Sequence, residues 1–136
     1  MKDYVLDANA LVRFFRNQEG AAKVGALMSL ADKREAVLRI SAVNLAEVLY
    51  IAARYIGMEN AQKAVGKIRA LVEFALAGEA EAQAVAGIRH TYKLGMADCF
   101  AAELAMRTGS TLVTTDPEFA KLGKQLKILA LPRHSG

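Results

Sequence analysis

The sequence has one cysteine and two histidines, and these low counts exclude several kinds of site. A single cysteine, Cys99, cannot form an internal disulfide, which favours a protein of the reducing cytosol. Neither His90 nor His134 lies at metal-ligand spacing from the other or from Cys99. A zinc site, which would use such ligands, is therefore not expected.

Long apolar runs are also missing. A membrane-spanning helix needs roughly 18 or more consecutive apolar residues, and the most apolar helical pattern, at 43–56, is broken by Asn44, Glu47 and Arg54. The chain reaches a strand pattern by Tyr4 without the basic and apolar regions of a signal peptide. We therefore expect a cytoplasmic protein without a membrane segment.

The length of 136 residues suits one domain with a substantial core, and 54% of the residues are hydrophobic. The chain has no room for a second domain, and it shows no repeat, low-complexity tract or linker. We expect a single domain over residues 1–136, with a loose tail at 132–136.

Strand and helix patterns alternate along this domain. The predicted strands are 4–6, 37–40, 72–75, 111–115 and 127–131, and the predicted helices are 11–16, 21–32, 43–55, 61–71, 79–92, 96–107 and 117–122. Alternation of this kind is typical of a parallel sheet that helices cover on both faces. The predicted architecture is therefore a three-layer α/β fold with a five-stranded parallel sheet.

Four acidic residues, termed the acidic quartet, stand near predicted helix starts that follow short apolar runs: Asp7, Glu47, Asp98 and Asp116. The strand-to-helix junctions of a parallel sheet open at one edge, where ligands of such folds bind. Four like charges gathered there would repel one another and weaken the fold unless a cation neutralised them. Because Mg²⁺ and Mn²⁺ prefer carboxylate oxygens, the pattern predicts a magnesium or manganese site.

The aspartates of the quartet also have purely structural interpretations. Asp7 would N-cap the helix after it, and Asp116, followed by Pro117, fits an N-cap with proline at the first helical position. Asp98 falls in the first turn of a helix, where the helix dipole favours a negative charge by roughly 0.3–1 kcal/mol. These alternatives predict caps without a metal site.

Glu47 has two structural alternatives of its own. With Asn44 it fits a capping box at the start of its helix, and with Arg54 it would form a solvated strip opposite the core-facing side. The same helix is apolar on nearly all sides, because Tyr50 and Tyr55 lie outside its core-facing stripe. Such spare apolar surface predicts a homodimer interface or a groove that receives another protein's helix.

The chain carries 18 basic and 14 acidic residues, for a net charge of +4. If a metal ion neutralises the acidic quartet, only ten other acidic residues oppose the 18 basic ones, and the remaining surface attracts a polyanion. The basic residues form three clusters: Lys63, Lys67 and Arg69; Arg89 and Lys93; and Lys121, Lys124 and Lys127. Each cluster alone fits an ordinary solvated face, but an acidic site within a basic surface suits phosphodiester hydrolysis.

Four segments of the chain carry a resemblance to a known family: VLDANAL at 5–11, NLAEV at 44–48, MAD at 96–98 and LVTTDPEF at 112–119. In this order and at these separations they resemble the PIN domain family, and within it the VapC-type toxins of bacterial and archaeal toxin–antitoxin pairs. The resemblance spans nearly the whole chain, whereas the middle segment, 58–93, has no diagnostic residues.

The resemblance implies a five-stranded parallel sheet flanked by helices, a ribonuclease that depends on Mg²⁺ or Mn²⁺, and inhibition by a cognate antitoxin. It also implies that the acidic quartet holds the metal and is catalytic. Asn9 matches a place where the family often has a small polar residue, and Thr114 matches a hydroxyl that precedes the last aspartate. Both would support the site.

From the carboxylates and the resemblance together we expect metal-assisted hydrolysis of RNA, with one or two divalent ions in the site. The 2′-hydroxyl does not attack in such a reaction, so the products would carry a 5′-phosphate and a 3′-hydroxyl. No histidine pair is placed for the cyclic-phosphate route of metal-free ribonucleases.

Four other functions fit parts of the sequence. A flap or 5′ nuclease acting on DNA uses a similar acidic site, but this chain has no room for the extra elements that grip DNA. A phosphoacceptor receiver domain needs an acidic pair near its N-terminus, and Asp3 and Asp7 are too far apart for that role. A stand-alone RNA-processing nuclease and a PIN-like module that binds RNA without cleaving it stay open.

Overall fold

Five parallel strands form one sheet in a computed structural model that describes residues 1–132. The strands are β1 (Lys2–Leu6), β2 (Ala36–Ser41), β3 (Val72–Ala75), β4 (Thr111–Thr114) and β5 (Lys127–Ala130). Their order across the sheet is β3-β2-β1-β4-β5, and every neighbouring pair is parallel. In this order the direction of winding reverses between β1 and β4, whereas receiver domains have a different strand order. The predicted sheet is confirmed, and the receiver alternative is wrong.

Six α-helices and one 3₁₀ segment cover the sheet within residues 1–132. They are α1 (Ala8–Phe15), α2 (Ala21–Asp32), α3 (Ala42–Ile56), α4 (Met58–Lys67), α5 (Glu79–Tyr92), α6 (Met96–Thr108) and the 3₁₀ segment (Pro117–Gln125). None of these helices has the length and apolarity that crossing a membrane requires. Helices α1 to α4 build a core on one face of the sheet, and α5, α6 and the 3₁₀ segment build a core on the other. The predicted three-layer α/β architecture is confirmed.

The central strands supply side chains to both cores. In β1, Leu6 packs with α1 to α4, whereas Val5 packs with α5 and α6. In β4, Val113 and Leu112 divide in the same way, and all four side chains are fully buried. Successive side chains of a strand point to opposite faces, so a strand covered on both faces has an unbroken apolar run. The short apolar runs of the sequence have this physical cause.

Helix α4 begins sooner after α3 along the chain than the sequence pattern predicts. The prediction of 61–71 is wrong at both ends, because the helix begins three residues earlier and ends four residues earlier. Gly57 joins the two helices with a φ of 84°, a backbone conformation that favours glycine. Beyond α4, Ile68 packs into the core from a turn, and its carbonyl accepts a hydrogen bond from the Val72 N–H at 3.0 Å. The apolar residues of this turn therefore extended the helical pattern of the sequence beyond the end of the helix.

The last helical segment is a 3₁₀ helix that continues past the predicted range of 117–122. Its three-residue turn places Phe119 and Leu122 on one line, and both side chains are buried against the sheet. Gly123 then breaks the helix with a φ of 59° and a ψ of −135°. The buried pair, rather than α-helical periodicity, decides the form of this segment.

Ser41, and not Asn44, caps helix α3. The Ser41 hydroxyl oxygen accepts a hydrogen bond from the Val43 N–H at 3.2 Å, and the helix begins at the next residue after the serine. The capping box predicted from Asn44 and Glu47 is wrong, because both residues already lie inside the helix. Their side chains are thus available for contacts outside α3.

The loose tail predicted at 132–136 lies outside the described residues except for Pro132. The Pro132 carbonyl accepts a hydrogen bond from the Arg13 guanidinium at 3.1 Å. At this residue the chain is still held against α1.

We expect Leu104→Ala to lower the free energy of unfolding by about 2–5 kcal/mol, because it leaves a cavity in the core beneath α6. Leu104 is 2% exposed, whereas Leu76 is 83% exposed. The matched control Leu76→Ala should therefore change stability by no more than about 0.5 kcal/mol. Urea unfolding followed by circular dichroism measures both, and equal losses would contradict this description of the core.

Candidate functional site

Asp7 lies at the carboxyl edge of the sheet, between the two central strands. Its backbone N–H donates to the Val113 carbonyl at 3.2 Å, which extends the pairing of β1 with β4. One carboxylate oxygen accepts from the Ala10 N–H at 2.8 Å, so the predicted N-cap of α1 is confirmed. The other oxygen accepts from the Thr114 hydroxyl. The cap and the candidate site residue are the same side chain.

Asp116 follows β4 at the same edge. Its Oδ1 accepts from the Glu118 N–H at 2.9 Å, which confirms the N-cap predicted with Pro117 at the next position. The Thr114 hydroxyl oxygen accepts a hydrogen bond from the Asp116 N–H at 3.0 Å, and the same hydroxyl donates a hydrogen bond to the Asp7 carboxylate. Thr114 thus joins the two segments that carry these aspartates.

Asp98 and Glu47 reach this edge by a route that the sequence pattern did not predict. Asp98 lies in the first turn of α6, which follows another helix rather than a strand. Because α6 leads into the amino end of β4, its first turn lies at the opposite, carboxyl edge. Glu47 lies in the second turn of α3, the helix that leaves β2 at that edge. The assumption that all four acids mark strand-to-helix junctions is wrong for Asp98, and Glu47 lies one turn beyond such a junction.

Asn44 connects Glu47 to the first turn of α6. Its side chain is buried, and its Nδ2 donates to Glu47 Oε1 at 3.1 Å and to the Ala97 carbonyl at 3.0 Å. The two residues of the predicted solvated strip differ in their surroundings: Arg54 is exposed, with its guanidinium 5.9 Å from the ring centre of Tyr50, whereas Glu47 is half-buried. Glu47 lines a cavity.

All four carboxylates of the quartet line this cavity, which has a volume of about 230 Å³. The other lining residues are Ala8, Asn9, Ile51 and Thr115. The Asn9 amide donates to the Thr115 hydroxyl oxygen, whereas Thr114 contacts the site through Asp7. Within residues 1–132 no lysine, arginine, histidine or cysteine lines the cavity. The structure therefore brings the predicted acids together and leaves their charge without a basic partner in the cavity.

Burial raises the pKa of the Asp7 carboxyl from 3.8 to about 6. Hydrogen bonds from Thr114 and Ala10 act in the opposite direction, because they stabilise the charged form. The negative charges of Asp98 and Asp116 raise the pKa further. Holding Asp7 ionised therefore costs free energy that a bound cation would offset.

Asp98 has the same property, although it is only partly buried. Burial raises its pKa to about 6, and the negative charges of Asp116, Glu47 and Glu118 add to the effect. Glu118 is a fifth acid near the site that sequence reasoning did not select. The sequence feature that could have identified Glu118 is its position two residues after Asp116, in the turn that Asp116 caps. Its carboxylate also forms an ion pair with Lys121 at 3.3 Å.

The oxygen-only donor set fits a divalent cation that is held largely through water. In the described part of the chain, no three acidic, histidine or cysteine side chains stand close enough together to hold a metal ion directly. Mg²⁺ usually keeps several waters and binds through one or two carboxylates, so this spacing suits it. Burial is the main cause of the raised pKa values of Asp7 and Asp98, and the negative charges of neighbouring carboxylates add to it. A bound divalent ion would offset this cost of ionisation. Zinc, which prefers nitrogen and sulfur, does not fit.

A larger cavity, of about 490 Å³, lies at the opposite edge of the sheet. Lys2, Lys23 and Lys127 are among its lining residues. Its one acidic residue within positions 1–132, Asp3, forms an ion pair with Arg39 at 3.2 Å. We place the candidate site in the smaller cavity because its carboxylates are crowded and lack basic partners there.

A comparison with protein families matches the chain, over residues 4–125, to the model of the PIN domain. The matched range contains the whole acidic quartet. A comparison with curated protein sequences gives no match.

Several solved structures share the fold. VapBC2 from Rickettsia felis, bound to a DNA fragment from its promoter, gives a TM-score of 0.74 at 20% identity and covers 95% of this chain and 98% of that chain. DNA-bound VapBC from Salmonella typhimurium gives 0.73 at 20% identity, with 96% and 98% covered. FitAcB from Neisseria gonorrhoeae gives 0.69 at 21% identity, with 93% and 96% covered. At these identities the likeness is one of fold.

In EDTA, we expect the free energy of unfolding to fall as the pH rises from about 4 to about 6. Over this range the unfolded chain has already lost the Asp7 proton, whereas the folded chain still holds it, because the pKa is raised from 3.8 to about 6. Asp7→Asn removes this contribution and should stabilise the protein at neutral pH by on the order of 1–3 kcal/mol. Urea unfolding across the pH range measures it.

The exposed Asp32, at the end of α2, offers a matched control for this titration. Because Asp32 does not line the cavity of the acidic quartet, Asp32→Asn should keep the fall in stability that we assign to Asp7. Parallel stability curves for the wild type and Asp7→Asn would contradict the assignment to Asp7.

Proposed function

This chain belongs to the PIN domain family, and from that premise we propose that it is a metal-dependent endoribonuclease and the toxin of a toxin–antitoxin pair that acts in the cytoplasm. The observation that carries the proposal is the cavity lined by the whole acidic quartet, with raised pKa values at Asp7 and Asp98. Such a site has the charge to bind Mg²⁺, with Mn²⁺ as a substitute, and has no lining histidine, cysteine or lysine within residues 1–132 to act as a nucleophile or base.

The quartet would hold the ion, and the neighbouring polar groups would orient the substrate. When bound, a divalent cation supplies positive charge for phosphodiester hydrolysis and lowers the pKa of water. Asp7 is held by two hydrogen bonds, so its carboxylate is fixed before a ligand arrives. The Asn9 amide and the Thr115 hydroxyl lie at the cavity and are neutral, so they can contact a phosphate without repulsion.

A basic depression next to the site supports RNA as the substrate. Arg89, His90 and Lys93 line it together with Met96, and its volume is about 470 Å³. Met96 stands two residues before Asp98 in the first turn of α6. A phosphate backbone lying in this depression would therefore be close to the acidic cavity.

An exposed apolar surface supports a protein partner. The α3–α4 patch consists of Tyr50, Tyr55, Ile56 and Met58, which are between 48% and 63% exposed. These four exposed apolar residues lie within nine positions of the chain, and such a group marks an interface more often than isolated residues do. We assign the patch to a homodimer. Because solved structures that share the fold include VapBC assemblies bound to DNA, we also propose a cognate antitoxin for this chain.

We expect the purified protein to cleave RNA in Mg²⁺ or Mn²⁺ and to leave 5′-phosphate and 3′-hydroxyl ends. Asp7→Asn and Asp98→Asn should reduce cleavage to the level seen in EDTA, because each removes a carboxylate from the cavity. Cleavage of a structured RNA pool, with end groups mapped on the products, measures both effects.

Asp32→Asn changes an exposed acid at the end of α2. It is the matched control and should retain full cleavage. Full activity in excess EDTA, or 2′,3′-cyclic ends, would overturn the metal-dependent reaction. Metal binding and RNA binding without any cleavage would instead favour an RNA-binding module.

Placing charges in the α3–α4 patch should dissociate the homodimer. We expect Ile56→Asp combined with Met58→Asp to shift the molar mass from dimer to monomer, because each buries a charge in an apolar interface. Leu76→Asp, at an exposed apolar residue outside the patch, should leave the mass unchanged. Size-exclusion chromatography with light scattering measures the molar mass of each variant. A monomeric wild type would exclude the homodimer, and the α3–α4 patch would then be assigned to antitoxin binding.

A further inference from the structure

Asn44 is buried inside α3 and is bonded to two elements of the candidate site. We propose that it is a positioning residue that holds Glu47 against the first turn of α6 and so prepares the site for a divalent cation. The inference rests on the proposed function, because it concerns the same cavity.

Both protons of the Asn44 amide are used, and they reach two different elements. One goes to Glu47 Oε1 at 3.1 Å, within α3, and the other to the Ala97 carbonyl at 3.0 Å, on α6. Ala97 directly precedes Asp98. A single side chain therefore fixes one candidate ligand and the turn that carries another.

The orientation of this amide follows from its partners. If it were rotated by half a turn, Asn44 Oδ1 would face two acceptors, the Glu47 carboxylate and the Ala97 carbonyl. In the observed orientation, Oδ1 is buried and has no hydrogen-bond partner among residues 1–132. An unpaired buried acceptor costs free energy that a leucine at this place would avoid. The two donated bonds therefore explain the asparagine better than packing does.

The neutrality of the donor matters for the charge of the site. Glu47 and Asp98 line the same cavity without a basic side chain of residues 1–132 beside them, so their negative charges repel each other. An arginine or lysine at position 44 would hold Glu47 and also cancel its charge. Asn44 holds the glutamate and leaves its full negative charge for a cation. Hydrogen-bond partners of metal ligands typically contribute about 10- to 100-fold in metal affinity.

The test is a titration with Mn²⁺ alone, followed by electron paramagnetic resonance of the free ion. We expect Asn44→Leu to raise the Mn²⁺ dissociation constant by roughly 10- to 100-fold. Asn44→Ser, which keeps one donor, should fall between the leucine variant and the wild type. If the leucine variant does not fold, the serine variant decides. Asn60→Leu is the matched control, because Asn60 lies on α4 and, within residues 1–132, its amide donates only to the Ile56 carbonyl, at 2.9 Å.

Thermal unfolding in EDTA, measured beside the titration, separates positioning from a structural role. Unchanged Mn²⁺ affinity in the folded Asn44 variants, with only a lower unfolding temperature, would overturn the inference. Weakened Mn²⁺ binding, with RNA cleavage recovered at saturating Mn²⁺, would support it.

The proposed function can fail in a way that this titration distinguishes. If the wild type binds Mn²⁺ but cleaves no RNA, the ribonuclease proposal fails, and the ratio of Mn²⁺ affinities still decides the role of Asn44. If the wild type binds no Mn²⁺, both are overturned.

Discussion

The pairing of β1 with β4 is the contact on which the rest of the molecule depends. Val5 pairs with Leu112 and Leu6 with Val113, so each pair supplies two residues to one core, and successive pairs alternate between the two cores. The same pairing continues beyond the strands, where the Asp7 N–H reaches the Val113 carbonyl. The winding of the sheet reverses at this pair, and the crevice that opens there is the cavity of the acidic quartet.

Packing free energy holds the like charges of the cavity together. Helix α6 contributes Ala101, Ala102 and Ala105 to the core, and all three are fully buried. Their small side chains let the helix lie close to the sheet, and its first turn brings Asp98 towards the acids at the strand ends. The rigid three-layer fold thus keeps a concentration of negative charge that the isolated segments would relieve by separating.

Local signals of the sequence predicted the parts of the fold that local physics decides. The central strands β1 and β4 contain short apolar runs that are buried on both faces, and Asp7 and Asp116 are ordinary helix caps. Each of these features could be recognised from its own segment of the sequence. The limits of α4 were not, because the core beyond the helix uses apolar turn residues such as Ile68.

The site required more than local signals. The convergence of Glu47 and Asp98 with the strand-end aspartates depends on how α3 and α6 pack. For Asp98, which follows a helix, the junction argument assigned that convergence to the wrong cause. Family resemblance selected the same acids without needing the packing. Nothing in the sequence reveals the bond from Asn44 to the Ala97 carbonyl, because it exists only in the folded chain.

The spread of the quartet along the chain has a consequence for synthesis. The hydroxyl that bonds to Asp7 belongs to Thr114, which the ribosome adds 107 residues later. Until then β1 lacks β4, one of its two neighbours in the sheet, and the crevice between these two strands has not formed. A nascent chain therefore cannot carry a finished site. Under the proposed ribonuclease function, this order of assembly would keep the unfinished protein from cleaving the message that encodes it.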